Sequence, residues 1–246
     1  MTDWRVEHIT GPAEELFNGE RSSAALLARG GHLQPSLRFV TVDAPTLVLG
    51  SGQHVSILGA VPGHVRRRSG GGAVWLDPVE HVWVDVIVPT GHPLWTSDVT
   101  LSFDWLGVAW LRAVRALGVT EPLDVHRGRL VSSPWSALLC FAGRGPGEVF
   151  VRNRKLVGIA QRRSRGGVLF QCGILRRWTF RADWFASDAW PGPLEADVAE
   201  AGIGLENLLV GGGVDGGMVA PSDAQIQETF VKAVSSFDNA GAQVGS

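Results

Sequence analysis

Glu148-Val149-Phe150-Val151-Arg152-Asn153-Arg154-Lys155-Leu156-Val157-Gly158-Ile159-Ala160 holds two apolar runs around a polar centre. Glu148–Val151 and Lys155–Ala160 therefore read as a β-hairpin turning at Arg152-Asn153-Arg154. Gly167–Leu175 follows as a further strand, so this region predicts antiparallel pairing. Upstream, Leu37–Val42 alternates like a strand, and Thr46–Leu49 forms another that stops at Gly50-Ser51-Gly52. Two more strands are expected around Ala73–Leu76 and His81–Val88, with Asp77-Pro78 turning the chain between them. Pro12–Arg29 reads as a helix ended by Gly30-Gly31. Ser97–Leu117 repeats apolar residues at helical spacing, and Gly118 sits where a C-terminal cap belongs. Ser222-Asp223 caps a last helix reaching about Phe237. Strands outnumber helices. The pattern predicts an α/β (α+β) fold with a mixed, largely antiparallel sheet flanked by helices. A single domain over residues 1–238 is expected, with a frayed tail over 239–246.

The chain has 246 residues and a formal net charge of -2, with 45% hydrophobic and 19% charged residues. Such a balance excludes a strongly basic nucleic-acid coat, and the apolar fraction excludes global disorder. No apolar run approaches the ~20 residues that a membrane helix needs. The polar start Met1-Thr2-Asp3-Trp4-Arg5 carries no signal segment, so a soluble cytoplasmic protein is expected, with no membrane and no nucleic-acid partner. Cys140 and Cys172 are too few for a disulfide framework. Lysine occurs only at Lys155 and Lys232 while arginine is common.

Three features could carry chemistry. In Arg67-Arg68-Ser69-Gly70-Gly71-Gly72-Ala73-Val74, bare glycine N–H groups beside guanidinium groups suit a phosphate or carboxylate. A flexible glycine turn is the plain alternative. Lys155 shares a strand face with Val157 and Ile159, so its ammonium would sit among apolar neighbours as an electrostatic clamp. An edge-strand lysine guarding against aggregation is the rival reading. Cys140, in Leu139-Cys140-Phe141-Ala142-Gly143, is either a small buried hydrophobe or a nucleophile beside a cation. Cys172 reads as a core strand residue. Gly211-x-Gly213-x-x-Gly216 formally matches a dinucleotide fingerprint, but its context favours a plain loop. The seven histidines lack metal-site spacing, so no metal site is expected among the side chains.

Taken together, these segments resemble the lipoate–protein ligase and octanoyltransferase family, which is related to biotin–protein ligases. Leu47-Val48-Leu49-Gly50-Ser51-Gly52-Gln53 resembles the family's early strand and turn. Arg67 to Asp77 resembles its Arg-Arg-x-Ser-Gly-Gly-Gly-Ala-Val-x-His-Asp element, and Arg154 to Arg162 its Arg-Lys-x-x-Gly-Ser-Ala-Gln stretch. The resemblance implies a biotin-synthetase-like catalytic domain that attaches a lipoyl or octanoyl group to a lysine of a lipoyl-domain protein. Such partners are dehydrogenase E2 subunits or the glycine cleavage H protein. By motif position it implies that Arg67, Ser69, Gly70, Gly71, Gly72, Ala73, Val74, Trp75, Asp77 and Gly158 contact the acyl-adenylate or acyl group. It also implies that Lys155 holds the acyl carbonyl and phosphate.

Two chemistries divide the family. A ligase takes lipoate or octanoate with ATP and Mg2+ and forms an acyl-adenylate. A transferase needs no cofactor and passes octanoate from acyl carrier protein through a cysteine thioester, here on Cys140. The glycine element places the ligase reading first, and Cys140-Phe141 before the Lys155 hairpin carries the transferase alternative. Leu76 stands where the family often has His, Ile159 where Ser is common, and Cys172 in a usual Gln-His-Gly. A third reading is therefore a non-catalytic acyl- or nucleotide-binding relative. For a catalyst, Lys155→Ala is expected to abolish transfer with little loss of folding, and Gly72→Val to block ligand by projecting into it.

Overall fold

A computed structural model describes residues 4–30, 33–192, 198, 200–209 and 220–241. The strands run β1 (Arg5–Gly11), β2 (Ser36–Val42), β3 (Thr46–Leu49), β4 (His64–Arg66), β5 (Val74–Leu76) and β6 (His81–Pro89). They continue with β7 (Leu123–Val125), β8 (Val149–Val151), β9 (Arg154–Ser164) and β10 (Gly167–Leu175). The helices are α1 (Ala13–Asn18), α2 (Ser23–Arg29), α3 (Asp104–Ala116), α4 (Leu205–Leu209) and α5 (Asp223–Gly241). A seven-stranded sheet has the order β1-β2-β6-β10-β9-β8-β7, and a three-stranded sheet the order β4-β3-β5. Only β1 with β2 and β3 with β4 pair in parallel; the other pairings are antiparallel. This is the mixed, largely antiparallel sheet that the hairpins predict.

Side chains alternate across the large sheet and divide the molecule. Val84, Cys172 and Ile159 stand side by side in register, and all three join the core under α3 and α5. Trp110 of α3 stacks on Phe230 of α5 at 3.8 Å within that core. The neighbouring row, Trp83, Gly173 and Gly158, belongs to the opposite face. There Trp83 meets a second core built with Val48, Val65 and Leu76 of the small sheet. The two glycines leave a stretch of bare backbone beside Trp83.

Several elements differ from the sequence reading. The expected helix over 12–29 is two helices, because Gly19 is extended and the Ser22 hydroxyl accepts from Ala25 N–H to start α2. The expected Ser97 start gives way to a 3-10 turn over Leu101–Phe103 that leads into α3 at Asp104, and Asp98 Oδ1 accepts from the N–H groups of Thr100 and Leu101. Gly118 has φ +98° and ends α3 as expected. The last helix continues to Gly241, past Phe237; residues 242–246 and the Gly211–Gly216 pattern lie outside the described residues. Among the described residues, no helix is long and apolar enough to cross a membrane.

Candidate active site

The site begins where β3 ends. Gln53 folds back so that its Oε1 accepts from Gly50 N–H at 2.9 Å, while its Nε2 donates to the carbonyls of Ala137 (2.8 Å) and Leu138 (3.0 Å). A Cβ on Gly50 would run into the carbonyl oxygen of Gly71, so glycine is required for the two loops to approach. Gly71 itself has φ +93°. Arg67 reaches underneath this loop. Its guanidinium donates to the carbonyls of Gly70 and Gly72 at 2.8 Å each and to that of Val48 at 3.3 Å. The arginine expected to grip a ligand therefore holds the glycine loop in shape, and its buried Nε alone has no partner among the described residues. The Gly70, Gly71 and Gly72 N–H groups donate to nothing among the described residues. The buried hydroxyls of Ser69 and Ser133 are unpartnered too. Together they form a cradle for an anion or oxyanion.

Ala73 couples this loop to Cys140. Ala73 N–H donates to the Leu138 carbonyl at 2.8 Å, and Cys140 N–H donates to the Ala73 carbonyl at 2.9 Å. Cys140 then opens a short 3-10 turn, Cys140–Ala142, and is half-buried. Lys155 sits at the start of β9, opposite Phe150. Its Nζ donates to the Cys140 carbonyl at 2.9 Å and pairs with Glu148 Oε2 at 2.7 Å. Lysine and glutamate side chains are only 1% and 4% exposed, so the expected solitary ammonium is instead half of a buried ion pair. Glu148 also accepts from the N–H groups of Gly145 (2.5 Å) and Ile159 (3.4 Å). It thereby ties the chain leaving Cys140 to β9. The sequence reading missed Glu148. Its signal was a lone carboxylate at the head of an apolar strand, seven positions before the lysine.

These parts line one cavity of about 830 Å³. Arg67, Ser69, Gly70, Gly71, Gly72, Val74, Cys140, Lys155 and Gly158 border it. Phe17 and Trp83, stacked at 4.4 Å, and Leu76 supply apolar wall. Trp83 Nε1 donates to Asp85 at 2.6 Å, and Gln171 donates to the same oxygen at 3.4 Å. Burial pushes the Asp85 carboxyl up to about 6, against hydrogen bonds from Ser23 and Trp83. His81 borders the cavity with both ring nitrogens buried and without a partner among the described residues, and burial lowers its imidazole to about 4.

Three expected contacts are not at the cavity. Ala73 is fully buried between the loops it joins. Trp75 stacks on Trp184 at 4.6 Å in a separate core. Asp77 accepts from the N–H groups of Val79 and Glu80 and closes the turn before β6. Gly72 borders the cavity, and its Cβ direction runs into neighbouring backbone. A Cβ there would lie 2.6 Å from Leu139 C and 2.7 Å from Cys140 N. All three departures from the family pattern border the cavity, and Ile159 and Cys172 also belong to the helix-side core. Burial raises the Cys172 thiol well above its ordinary range, as fits a structural cysteine.

A family model described as the lipoyl protein ligase A/B catalytic domain matches residues 17–182. The octanoyltransferase LipM of Kyrpidia tusciae is 34% identical over 71% of this chain. That alignment covers 66% of the relative, so the chain spans just under two thirds of its length. The octanoyltransferase LipM of Moorella thermoacetica is 33% identical over 88% of this chain and 82% of its own length. Among solved structures, a bi-partite lipoate protein ligase from Thermoplasma acidophilum, studied with its E2 lipoyl domain, superposes with a TM-score of 0.66. That match is 16% identical and covers 96% of this chain and 84% of the other, a likeness of fold.

Proposed function

We propose, for a chain that belongs to the lipoyl protein ligase A/B catalytic-domain family, that it is an enzyme attaching an octanoyl or lipoyl group to a lysine of a lipoyl-domain protein. Residues 1–238 would act as one catalytic domain. The observation that carries the reading is the convergence of Cys140, Lys155 and the open glycine amides on one largely apolar cavity. Relatives named octanoyltransferase move the preference to the transferase, which the sequence placed second. Cys140 as thiolate attacks the acyl carbon of an octanoyl thioester; the new C–S bond forms and the donor thiolate leaves. The Gly70–Gly72 N–H groups would take the developing oxyanion. The neutral amine of the target lysine then attacks, the C–S bond to Cys140 breaks, and the amine's proton passes to solvent as the amide forms. Acyl carrier protein would be the donor, with E2 subunits or the glycine cleavage H protein as acceptors. Two free thiols suit a reducing compartment, and we place the reaction in the cytoplasm.

The glycine cradle also favours a second reading, the ligase with ATP and Mg2+, since bare N–H groups suit phosphate equally well. Intact mass spectrometry separates the two. The protein with octanoyl-carrier protein alone should gain one octanoyl mass, lost in Cys140→Ser, and should then modify a lipoyl domain without ATP. ATP-dependent lipoylation surviving in Cys140→Ala, with no adduct in the wild type, would overturn the transferase.

A further inference from the structure

One row of residues crosses the large sheet beneath the cavity. Gly158 of β9 pairs with Gly173 of β10, and Gly173 pairs with Trp83 of β6, so the three stand in line on one face. All three border the cavity. The row begins at the reactive groups. A Cβ on Gly158 would lie 3.8 Å from each of Glu148 Oε1, Lys155 Cδ and Phe141 Cε2, and Phe141 follows Cys140 in the chain. In the middle the backbone is bare, because a Cβ on Gly173 would meet nothing within 4 Å. At the far end the indole of Trp83 rises from the row and is fixed. It stacks on Phe17 of α1 at 4.4 Å, and its Nε1 donates to the buried Asp85 Oδ1 at 2.6 Å. Val74 and Leu76 of the small sheet border the cavity too and pack into the same core as Trp83.

From this row we infer that Trp83 sets the length of acyl chain the cavity accepts, stopping a straight chain at about eight carbons. The inference rests on the acyl-transfer reading of the same cavity. Neighbouring strands lie about 4.8 Å apart, so the row spans about 9.6 Å from β9 to β6. Carbon–carbon bonds of about 1.5 Å advance about 1.25 Å each along a staggered chain, so an octanoyl group reaches about 9 Å from its carbonyl carbon. With that carbonyl above Gly158, the terminal methyl meets the indole. Glycine at the two earlier positions lets the chain lie against the sheet backbone. Two further methylenes would have to displace an indole held on its face by Phe17 and at its nitrogen by Asp85. A shorter chain leaves apolar wall uncovered and forfeits about fourfold in binding for each missing methylene.

Carrier protein loaded with butyryl, hexanoyl, octanoyl, decanoyl or dodecanoyl groups tests the stop, with the rate of Cys140 acylation followed by intact mass spectrometry. In the wild type the rate should climb to octanoyl and fall about tenfold at decanoyl. Trp83→Leu should bring decanoyl level with octanoyl, raising the ratio of the two about tenfold. A thermal melt shows whether that variant is folded. Gly173→Val probes the row without opening the core, because its side chain enters unfilled space. It should slow octanoyl about tenfold and spare butyryl, which ends short of β10. A wild type that takes dodecanoyl as readily as octanoyl overturns the stop. So does a folded Trp83→Leu with the wild-type profile, or a Gly173→Val that loses butyryl and octanoyl equally. A wild type that forms no adduct with any donor overturns the transferase reading instead. The affinities of the free acids then judge the stop, and they should break after octanoate.

Discussion

At the scale of single residues, the ion pair changes what a lysine substitution means. Lys155→Ala leaves Glu148 charged and enclosed, and strips the Cys140 carbonyl of a donor. Removing one member of a buried pair typically costs about 3–5 kcal/mol. We expect denaturant unfolding of Lys155→Ala to show a loss of that size, against the small loss that an unpaired lysine would predict. Lys155→Met with Glu148→Leu should recover only part of the stability, because Gly145 N–H and the Cys140 carbonyl lose their partners, and none of the transfer. Arg at position 155 should not restore activity, because a planar fork cannot occupy the site of a compact ammonium. Lysine's rarity made position 155 visible in the sequence; its partner stayed hidden. Phe150 faces Lys155 but Val149 faces Val157, and this one-residue slip in the hairpin cannot be read from composition.

At the scale of elements, the glycines of the two walls do different work. Gly173 has nothing within 4 Å of its Cβ position and borders the cavity. Gly173→Val should therefore fold as well as the wild type, since a β-branched residue suits a strand, while filling acyl space. We expect slower octanoylation of Cys140 at an unchanged Tm. Gly72→Ala should do the reverse first, lowering Tm, because its methyl meets the backbone of Leu139 and Cys140. β3 and β10 follow the sequence reading to the residue, and β2 and β6 within one, because their apolar residues run or alternate over enough positions to register. β1, with Arg5, Glu7, His8 and Thr10 around a single buried Ile9, is an edge strand whose polar side chains mask it. Three-residue β4 and β7 are too short for any period to register.

For the molecule as a whole, buried titrating groups give stability a distinctive response to acid. His81 is held neutral, so below its ordinary 6.5 the unfolded chain binds a proton that the fold refuses, and stability falls as pH drops toward 4. Asp85 works the other way: its carboxyl, raised from 3.8 to about 6, takes up a proton in the fold first. That contribution is present in acid and lost as pH rises through about 6. Asp85→Asn removes it while keeping an acceptor for Trp83. Between pH 7 and 4 the variant should lose more stability than the wild type, by up to about 3 kcal/mol, in denaturant titrations across that range.

The two hydrogen bonds of Ala73, its N–H donating to the Leu138 carbonyl and its carbonyl accepting from Cys140 N–H, make the glycine loop and the thiol a single lever. Whatever presses on the cradle is felt at the sulfur. The alkylation rate of Cys140 thus becomes a gauge of cavity occupancy, readable without turnover: a non-reactive octanoyl analogue should change it, and Gly72→Ala should uncouple the needle from the dial.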